Sequence, residues 1–325
     1  MNKKALIFGI SGQDGAFLAK LLISKGYEVH GTSRDAEMNN FSSLNELKIK
    51  EFIEFHSVSL TDFRSVLKVL EKVSPDEIYN LSGQSSVGLS FEQPVETLES
   101  IAIATIHILE SMRFLGGDFL FYNASSSESF GDTGGLAANE TTPFNPKSPY
   151  GVAKASAFWQ VANYRDSYGL FACSGIMFNH ESNLRPQRFV TRKICKAAAR
   201  IALGSKEILK LGDLTIKRDW GWAPEYVEAM WKILQQREAE DFVIATGCLD
   251  TLSEFINISF SCLNLDWENH VTSNPNLYRP SEIRSIYGCP QKANKKLKWH
   301  SKKNMPDVAR LMTLYEFEKL KDKNK

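Results

Sequence analysis

The sequence predicts an α/β protein built on a doubly wound parallel sheet, with a smaller, mainly C-terminal part beside it. Short runs of β-branched and aromatic residues alternate with longer helical patterns, as in successive βαβ units. A glycine-rich turn at residues 9–15 follows the first of these runs directly. Each predicted strand then ends in a loop of small or polar residues. These features are typical of a Rossmann-type fold, in which ligands bind beyond the carboxyl ends of the strands.

The elements follow one another regularly through the first half of the chain. Strands are predicted at residues 4–9, 27–33, 53–59, 76–82 and 118–125, with helices at 12–25, 61–73 and 95–114. Ser148 as a cap and Pro149 at the first helical position predict a further helix. A strand at 171–178 follows, after which the pattern is irregular. A strand at 242–247 and a helix at 252–263 are the clearest later elements.

Composition excludes several classes of protein. The 325 residues are 43% hydrophobic and 24% charged, enough for a full core, and 39 Lys and Arg against 38 Asp and Glu leave a net charge of +1. This balance argues against nucleic acid or a membrane surface as partner. The five cysteines show no metal-ligand spacing, no metal site is predicted, and no signal peptide precedes the first strand. We therefore expect a cytoplasmic protein.

The glycine-rich turn predicts a nicotinamide dinucleotide site, because glycines let the backbone approach a pyrophosphate at the start of a helix. The cofactor-binding residues expected in this turn are Gly9, Ser11, Gly12, Gln13, Asp14 and Gly15. After the second strand the chain reads Ser33-Arg34-Asp35. Arg34 could accept a 2′-phosphate, whereas Asp35 could bind a ribose 2′-hydroxyl. The sequence thus favours NADP slightly and leaves NAD open.

Tyr150 and Lys154 lie one turn apart on the helix that begins near Pro149. An ammonium beside a phenol favours the phenolate and lowers the pKa of the phenol, so we expect Tyr150 to accept a proton from a substrate hydroxyl. Tyr and Lys four residues apart also arise by accident in amphipathic helices. The upstream glycine turn and a serine-rich strand end favour the catalytic interpretation.

The serine-rich strand end contains Ser126 and Glu128. Such turns commonly use their hydroxyls only to satisfy backbone groups. At the predicted cofactor crevice, however, a hydroxyl and a carboxylate could converge on one sugar. A carboxylate beside the substrate could remove a carbon-bound proton made acidic by a neighbouring ketone.

Taken together, these motifs closely resemble the GDP-mannose 4,6-dehydratase family of extended short-chain dehydrogenases/reductases. The resemblance covers nearly the whole chain. Its segments are residues 9–15, 77–81, 84–85, 148–154, 178–182, 189–193, 217–221, 226–231, 242–247 and 278–280.

The resemblance implies a reaction without net oxidation. Tyr150, assisted by Lys154, would deprotonate the sugar 4-hydroxyl while hydride leaves C4 for the nicotinamide. Glu128 would remove the C5 proton, water would leave C6 with help from Ser126 and Glu128, and the hydride would return to C6. The product would be a 4-keto-6-deoxy sugar still attached to GDP.

The resemblance also implies further binding residues and two domains. For the cofactor these are Ser59, Leu60, Leu81, Gln84, Ser85, His180 and Arg185, besides Arg34, Tyr150 and Lys154. For the GDP-sugar they are Ser86, Asn179, Val190, Lys193, Arg218 and Arg279, besides Ser126 and Glu128. Residues 1–178 would bind the dinucleotide, with 217–247 returning to that domain, and 179–216 and 248–325 would bind the substrate.

The chain departs from the family pattern at several positions. Ser126 replaces a threonine, Ser59 replaces an acid at the adenine, Asp35 replaces an arginine, and residues 101–104 lack a glycine. The last three departures leave cofactor choice and subunit contacts open, so we expect a homodimer or a homotetramer. Alternative functions are a nucleotide-sugar 4-epimerase or 4-reductase, or a non-catalytic dinucleotide-binding module.

Overall fold

The computed structural model describes residues 2–323, so residues 1, 324 and 325 of the predicted domains lie outside the described part. The strands are β1 (Lys4–Phe8), β2 (Glu28–Ser33), β3 (Ile53–Ser57), β4 (Glu77–Asn80), β5 (Leu120–Ser126), β6 (Phe171–Met177), β7 (Asn179–Glu181), β8 (Leu209–Leu211), β9 (Lys217–Arg218), β10 (Trp220–Trp222), β11 (Phe242–Ile244), β12 (Asp250–Thr251), β13 (Val271–Ser273) and β14 (Ser285–Ile286). The helices are α1 (Gln13–Ser24), α2 (Ser42–Glu46), α3 (Phe63–Val73), α4 (Val87–Glu92), α5 (Pro94–Leu98), α6 (Ala104–Leu115), α7 (Pro149–Tyr168), α8 (Val190–Ala202), α9 (Ala223–Leu234), α10 (Leu252–Ser261), α11 (Gln291–Lys296) and α12 (Met305–Lys323).

Seven parallel strands form the central sheet in the order β11-β6-β5-β4-β1-β2-β3. The chain order reverses between β1 and β4, which are hydrogen-bonded neighbours. At such a switch point the loops after the two strands diverge and leave a crevice for a ligand. The predicted fold class is therefore confirmed.

Helices cover both faces of the sheet because its strands are apolar on both sides. One face packs against α1 and α9, and the buried side chains there include Leu18, Leu22 and Met230. The other face packs against α3 and α6 through side chains such as Val66 and Ile108. Burying each large apolar side chain contributes about 1.5–3 kcal/mol. The two-sided core fixes the strand ends that carry the site.

The predicted strands are all present, but most end one or two residues early. The helix predicted at 95–114 is interrupted by a π-helical turn, Glu99–Ile103, between α5 and α6. The helices that were not predicted are α2, α4, α8, α9, α11 and α12. α8 and α12 pack together with α10 around a separate core that includes Ile194, Phe255 and Met312. This smaller lobe lies beside the carboxyl edge of the sheet.

Among residues 2–323, no helix combines the length and the apolar character needed to cross a membrane.

Candidate active site

Two adjoining cavities lie at the carboxyl ends of the central strands. The first, of about 610 Å³, is lined by the glycine turn and by the loops after β2, β3 and β4. The second, of about 420 Å³, is lined by the end of β5, the start of α7 and the smaller lobe. Asp14, residues 81–85, Arg185 and Phe189 line both cavities. A ligand in one cavity can therefore contact a ligand in the other.

The glycine turn is shaped for a close backbone approach. Gly9 has a φ of 85°, and a Cβ added there would lie 2.7 Å from the Leu81 carbonyl oxygen. The Gly12 N–H donates to the Gly9 carbonyl at 3.1 Å and closes the turn before α1 begins. The first N–H groups of α1 thus lie at the first cavity, where they suit a pyrophosphate. The residues present fit a dinucleotide.

The loop after β2 presents Arg34, but not Asp35, to that cavity. Arg34 lines the cavity, together with Ser33 and Asn39. The Asp35 carboxylate accepts hydrogen bonds from the backbone N–H groups of Glu37 and Met38, at 3.1 and 3.0 Å. Asp35 therefore caps its own turn, whereas Arg34 is placed to meet a ligand.

Tyr150 and Lys154 lie in the second cavity because α7 starts close to β5. The Ser148 hydroxyl caps the helix by accepting from the Gly151 N–H at 3.0 Å. A Cβ on Gly151 would lie 2.7 Å from the Glu128 carbonyl oxygen, so only glycine allows this approach without displacing backbone. The Lys154 ammonium donates to the Ala124 carbonyl at 2.7 Å.

Burial dominates the protonation of this pair. It raises the pKa of Tyr150 to about 12 and lowers the pKa of Lys154 to about 8. The Ser126 hydroxyl opposes the shift of the phenol, and the charge of Glu128 adds to it. The expectation of a lowered pKa for Tyr150 is wrong in this structure, because burial is the largest cause and raises the pKa.

Glu128 is 9% exposed and lines the same cavity as Tyr150. Its backbone N–H donates to the Ser126 hydroxyl oxygen at 3.2 Å, which fixes the turn after β5. Burial raises the pKa of Glu128 above its ordinary value, and the charges of Arg218 and Arg279 partly offset this. Glu128 is thus a carboxyl group that holds a proton more readily than an exposed glutamate does, which suits a group that both takes up and releases a proton.

A buried ion pair stands where the two cavities meet. Asp14 accepts from His180 Nε2 at 2.8 Å, and His180 Nδ1 lies 2.7 Å from the Phe178 carbonyl oxygen. Burial alone would raise the pKa of Asp14 and lower that of His180. Their mutual attraction reverses both shifts, so the pKa of Asp14 is lowered and that of His180 is raised. Both shifts favour the charged form of the two side chains.

Every predicted site residue lines one of the two cavities. The first contains Gly9, Ser11, Gly12, Gln13, Asp14, Gly15, Arg34, Ser59, Leu60, Leu81, Gln84, Ser85 and Arg185. The second contains Ser86, Ser126, Glu128, Tyr150, Lys154, Asn179, His180, Val190, Lys193, Arg218 and Arg279.

The family follows from comparison with known proteins. A family model described as GDP-mannose 4,6 dehydratase matches residues 6–312. The chain belongs to this family.

Members of the family match it along almost their whole length. GDP-mannose 4,6 dehydratase 2 of Arabidopsis thaliana is 42% identical, covering 98% of this chain and 87% of that protein. GDP-mannose 4,6 dehydratase of Dictyostelium discoideum is 40% identical, with coverage of 100% and 98%.

Solved structures share the fold at lower identity. UDP-glucose 4-epimerase of Thermotoga maritima, solved with UDP-glucose, has a TM-score of 0.87 at 22% identity, covering 98% and 99% of the two chains. RMD of Pseudomonas aeruginosa, solved with NADPH, has a TM-score of 0.81 at 20% identity, with coverage of 98% and 99%.

Glu282 is among the residues at the dehydratase site that were not predicted from the sequence. Glu282 lines the second cavity, and its Oε1 accepts from Arg218 at 2.9 Å and from Arg279 at 3.3 Å. The carboxylate aligns the two guanidinium groups toward the cavity. In the sequence, the position of Glu282 three residues after Arg279 was the one indication that the two side chains could meet. The contact between Glu282 and Arg218, which are 64 residues apart, forms only in the folded chain.

Proposed function

We propose that the protein is a GDP-mannose 4,6-dehydratase, which converts GDP-mannose, or a close GDP-hexose or GDP-heptose, to the GDP-4-keto-6-deoxy sugar. The observation that carries the proposal is the placement of Glu128 in one cavity with Tyr150 and Ser126. Oxidation of a sugar hydroxyl requires only the tyrosine and a hydroxyl. A buried carboxyl of raised pKa beside them supplies the group needed to expel water.

The chain's own residues can perform each proton transfer. Tyr150 accepts the proton of the sugar 4-hydroxyl. Glu128 takes the proton from C5 once C4 is a ketone, and with help from Ser126 passes it to the 6-hydroxyl, which leaves as water. The proton that Tyr150 took from the 4-hydroxyl balances the proton that C5 regains when hydride adds at C6. A nicotinamide, when bound, would supply the carbon that accepts hydride from C4 and donates it to C6.

The GDP part of the substrate is proposed to bind among cationic side chains of the smaller lobe. Arg218 and Arg279 offer forked donors that suit a diphosphate, and Glu282 holds both in place. Lys193 adds a third cation in the same cavity. Asn179 and Val190 are proposed to contact the rest of the nucleotide.

The cofactor is proposed to be NADP. Arg34 lines the first cavity, whereas the Asp35 carboxylate is engaged in its own turn. An arginine at this position can pair with a 2′-phosphate, and the aspartate that would repel the phosphate is turned to the backbone. Arg185, whose Nε lies 3.1 Å from Glu181 Oε2, is proposed to contact the cofactor phosphates where the cavities meet.

The direct test is incubation of the purified protein with GDP-mannose and NADP, with mass spectrometry of the sugar nucleotide. We expect a product lighter by one water, without net reduction of cofactor. Tyr150→Phe should abolish turnover while nucleotide binding persists. Interconversion of two sugar nucleotides of equal mass would show a 4-epimerase instead. Reduction of an added keto sugar would show a 4-reductase. Dinucleotide binding with no reaction on any sugar nucleotide would indicate a non-catalytic module.

We also propose that the chain assembles as a homodimer or a homotetramer. Helix α7 exposes Val152 and Trp159, at 50% and 61%, and the neighbouring α5 exposes Val95 and Leu98. An apolar face of two adjacent helices is suited to burial against a second copy. Light scattering should give a multiple of the chain mass, and Trp159→Glu should give the monomer. The cytoplasmic location and the two-domain division stay predictions.

A further inference from the structure

A cluster of histidines and carboxylates lies away from both cavities, on the face of the sheet that packs against α3. His30 belongs to β2, and His56 and Glu54 belong to β3. In the register of this parallel pair His30 lies opposite Glu54, so the three side chains project from the same face. The proposed reaction uses none of them.

We propose that His30, His56 and Glu54 form a binding site for a divalent transition-metal ion such as Zn²⁺. Two imidazoles and a carboxylate are a donor set that zinc accepts, with water as a fourth ligand. The imidazole nitrogens also favour zinc over magnesium or calcium, which prefer oxygen ligands.

The distances between the donor atoms suit one ion. His30 Nδ1 and His56 Nε2 are 3.0 Å apart. The Glu54 carboxylate oxygens lie 3.7 Å from each of these two nitrogens. Ligands of a tetrahedral zinc ion at bond lengths of about 2.0–2.2 Å are separated by about 3.3–3.6 Å. Small shifts of the three side chains would therefore complete the site without moving the strands.

Glu28 provides an independent indication of a metal site. Its Oε1 lies 2.9 Å from His30 Nε2, the ring nitrogen that does not face the other donors. Histidines that bind metals commonly donate their second N–H to a carboxylate, which fixes the tautomer that leaves the first nitrogen free. Glu28 thus holds His30 with Nε2 protonated and with the Nδ1 lone pair directed at the proposed ion.

Proton balance is maintained on binding. Without metal, His56 Nε2 donates to the unprotonated His30 Nδ1. With metal, both nitrogens become ligands, and the proton of neutral His56 moves to its Nδ1. The two rings together neither gain nor lose a proton, and no co-reactant is needed.

The surroundings allow access to the ion. The two imidazoles are buried, whereas the side chains of Glu28 and Glu54 are about half exposed, so an ion can enter from solvent past the carboxylates. Lys72 lies 3.7 Å from Glu54 and Lys4 lies 3.6 Å from Glu28. Both ammonium groups would repel a bound cation, but the Lys72 side chain is 67% exposed and can turn into solvent.

The ion would join β2 to β3, which is the edge strand of the sheet. These strands end at Ser33 and Ser57, just before the loops that line the first cavity. Binding to the folded chain alone stabilises that chain. We therefore expect the metal to join the two strands that position the cofactor loops and to stabilise their pairing.

The test uses the full chain after removal of metals with a chelator. Zn²⁺ titration followed by calorimetry should give one ion per chain, and Co²⁺ should give the visible absorption of a tetrahedral site. His56→Gln and Glu54→Gln should each weaken Zn²⁺ affinity at least about tenfold, and Glu28→Gln by about 10–100-fold. At about 100 times the dissociation constant, Zn²⁺ should raise the thermal midpoint of the unaltered chain by a few degrees.

The control is His300→Gln, which removes an exposed histidine elsewhere in the chain and should leave Zn²⁺ binding unchanged. Glu54→Gln alters a half-exposed side chain, so it tests the site even if a histidine variant fails to fold. Binding of less than half an ion per chain, or equal affinity in Glu54→Gln and the unaltered chain, would overturn the proposal.

Discussion

Replacement of Glu128 by glutamine tests the central step of the proposed reaction. The two side chains have nearly the same size, and Glu128 is 9% exposed, so the change opens no cavity. The backbone N–H of residue 128 can still donate to Ser126, and the turn after β5 should persist. What disappears is the carboxyl group that accepts the C5 proton.

Loss of such a group lowers the rate by about 10²–10⁴-fold. This corresponds to about 2.7–5.4 kcal/mol of lost transition-state stabilisation, at about 1.36 kcal/mol for each tenfold change. Oxidation at C4 depends on Tyr150 and should still occur. Glu128→Gln should therefore accumulate reduced cofactor, up to about one equivalent per active site.

Near-ultraviolet absorbance of the reduced nicotinamide after rapid mixing with GDP-mannose measures this accumulation. Mass spectrometry in deuterated water measures exchange at C5, which should be absent. Glu282→Gln is the matched control, because it makes the same change in the same cavity at a carboxylate that holds Arg218 and Arg279. It should raise the KM for GDP-mannose while C5 exchange continues. Full turnover of Glu128→Gln, or lost turnover without reduced cofactor, would refute the role given to Glu128.

Three further predictions concern the cofactor loops and the protonation of the site. Gly9→Ala should weaken dinucleotide binding and lower the thermal midpoint. The positive φ of residue 9 and the clash of an added Cβ with Leu81 together cost about 2–5 kcal/mol. Calorimetry with NADP measures the binding. Arg34→Ala should raise the dissociation constant for NADP by at least about tenfold and change that for NAD little, and equal losses for both would refute a 2′-phosphate contact. The Arg279 charge lowers the pKa of Glu128, and the base must be ionised, so Arg279→Met should move the acidic limb of the pH–rate profile to higher pH. An unshifted limb in that profile would contradict the assignment.

Much of the site could be predicted because it is local in the chain. Tyr150 and Lys154 share a helical face by their spacing alone. The glycine turn of residues 9–15 is contiguous, and its position between a strand and a helix predicted its role. The loops after the parallel strands meet at one edge of the sheet, so their ligand-binding character also followed from element order.

Protonation could not be predicted from spacing. A lysine four residues from a tyrosine predicted a lowered pKa for Tyr150, yet burial raises it to about 12. The sign depends on how deeply α7 is packed and on which acceptor Lys154 reaches. Ala124 is that acceptor, 30 residues before Lys154 in the chain.

The sequence by itself determined the fold class and the family and predicted which side chains react, since each is encoded in short contiguous motifs. Tertiary structure alone decided which distant charges meet. Asp14 pairs with His180 across 166 residues, and Glu282 joins Arg218 across 64. His30 and His56 come from two strands that only sheet register brings together. The spacing of the cysteines, from which no metal site was predicted, gives no information about this histidine cluster. Electrostatic interactions depend on distance and burial, and both are set when the strands and lobes pack.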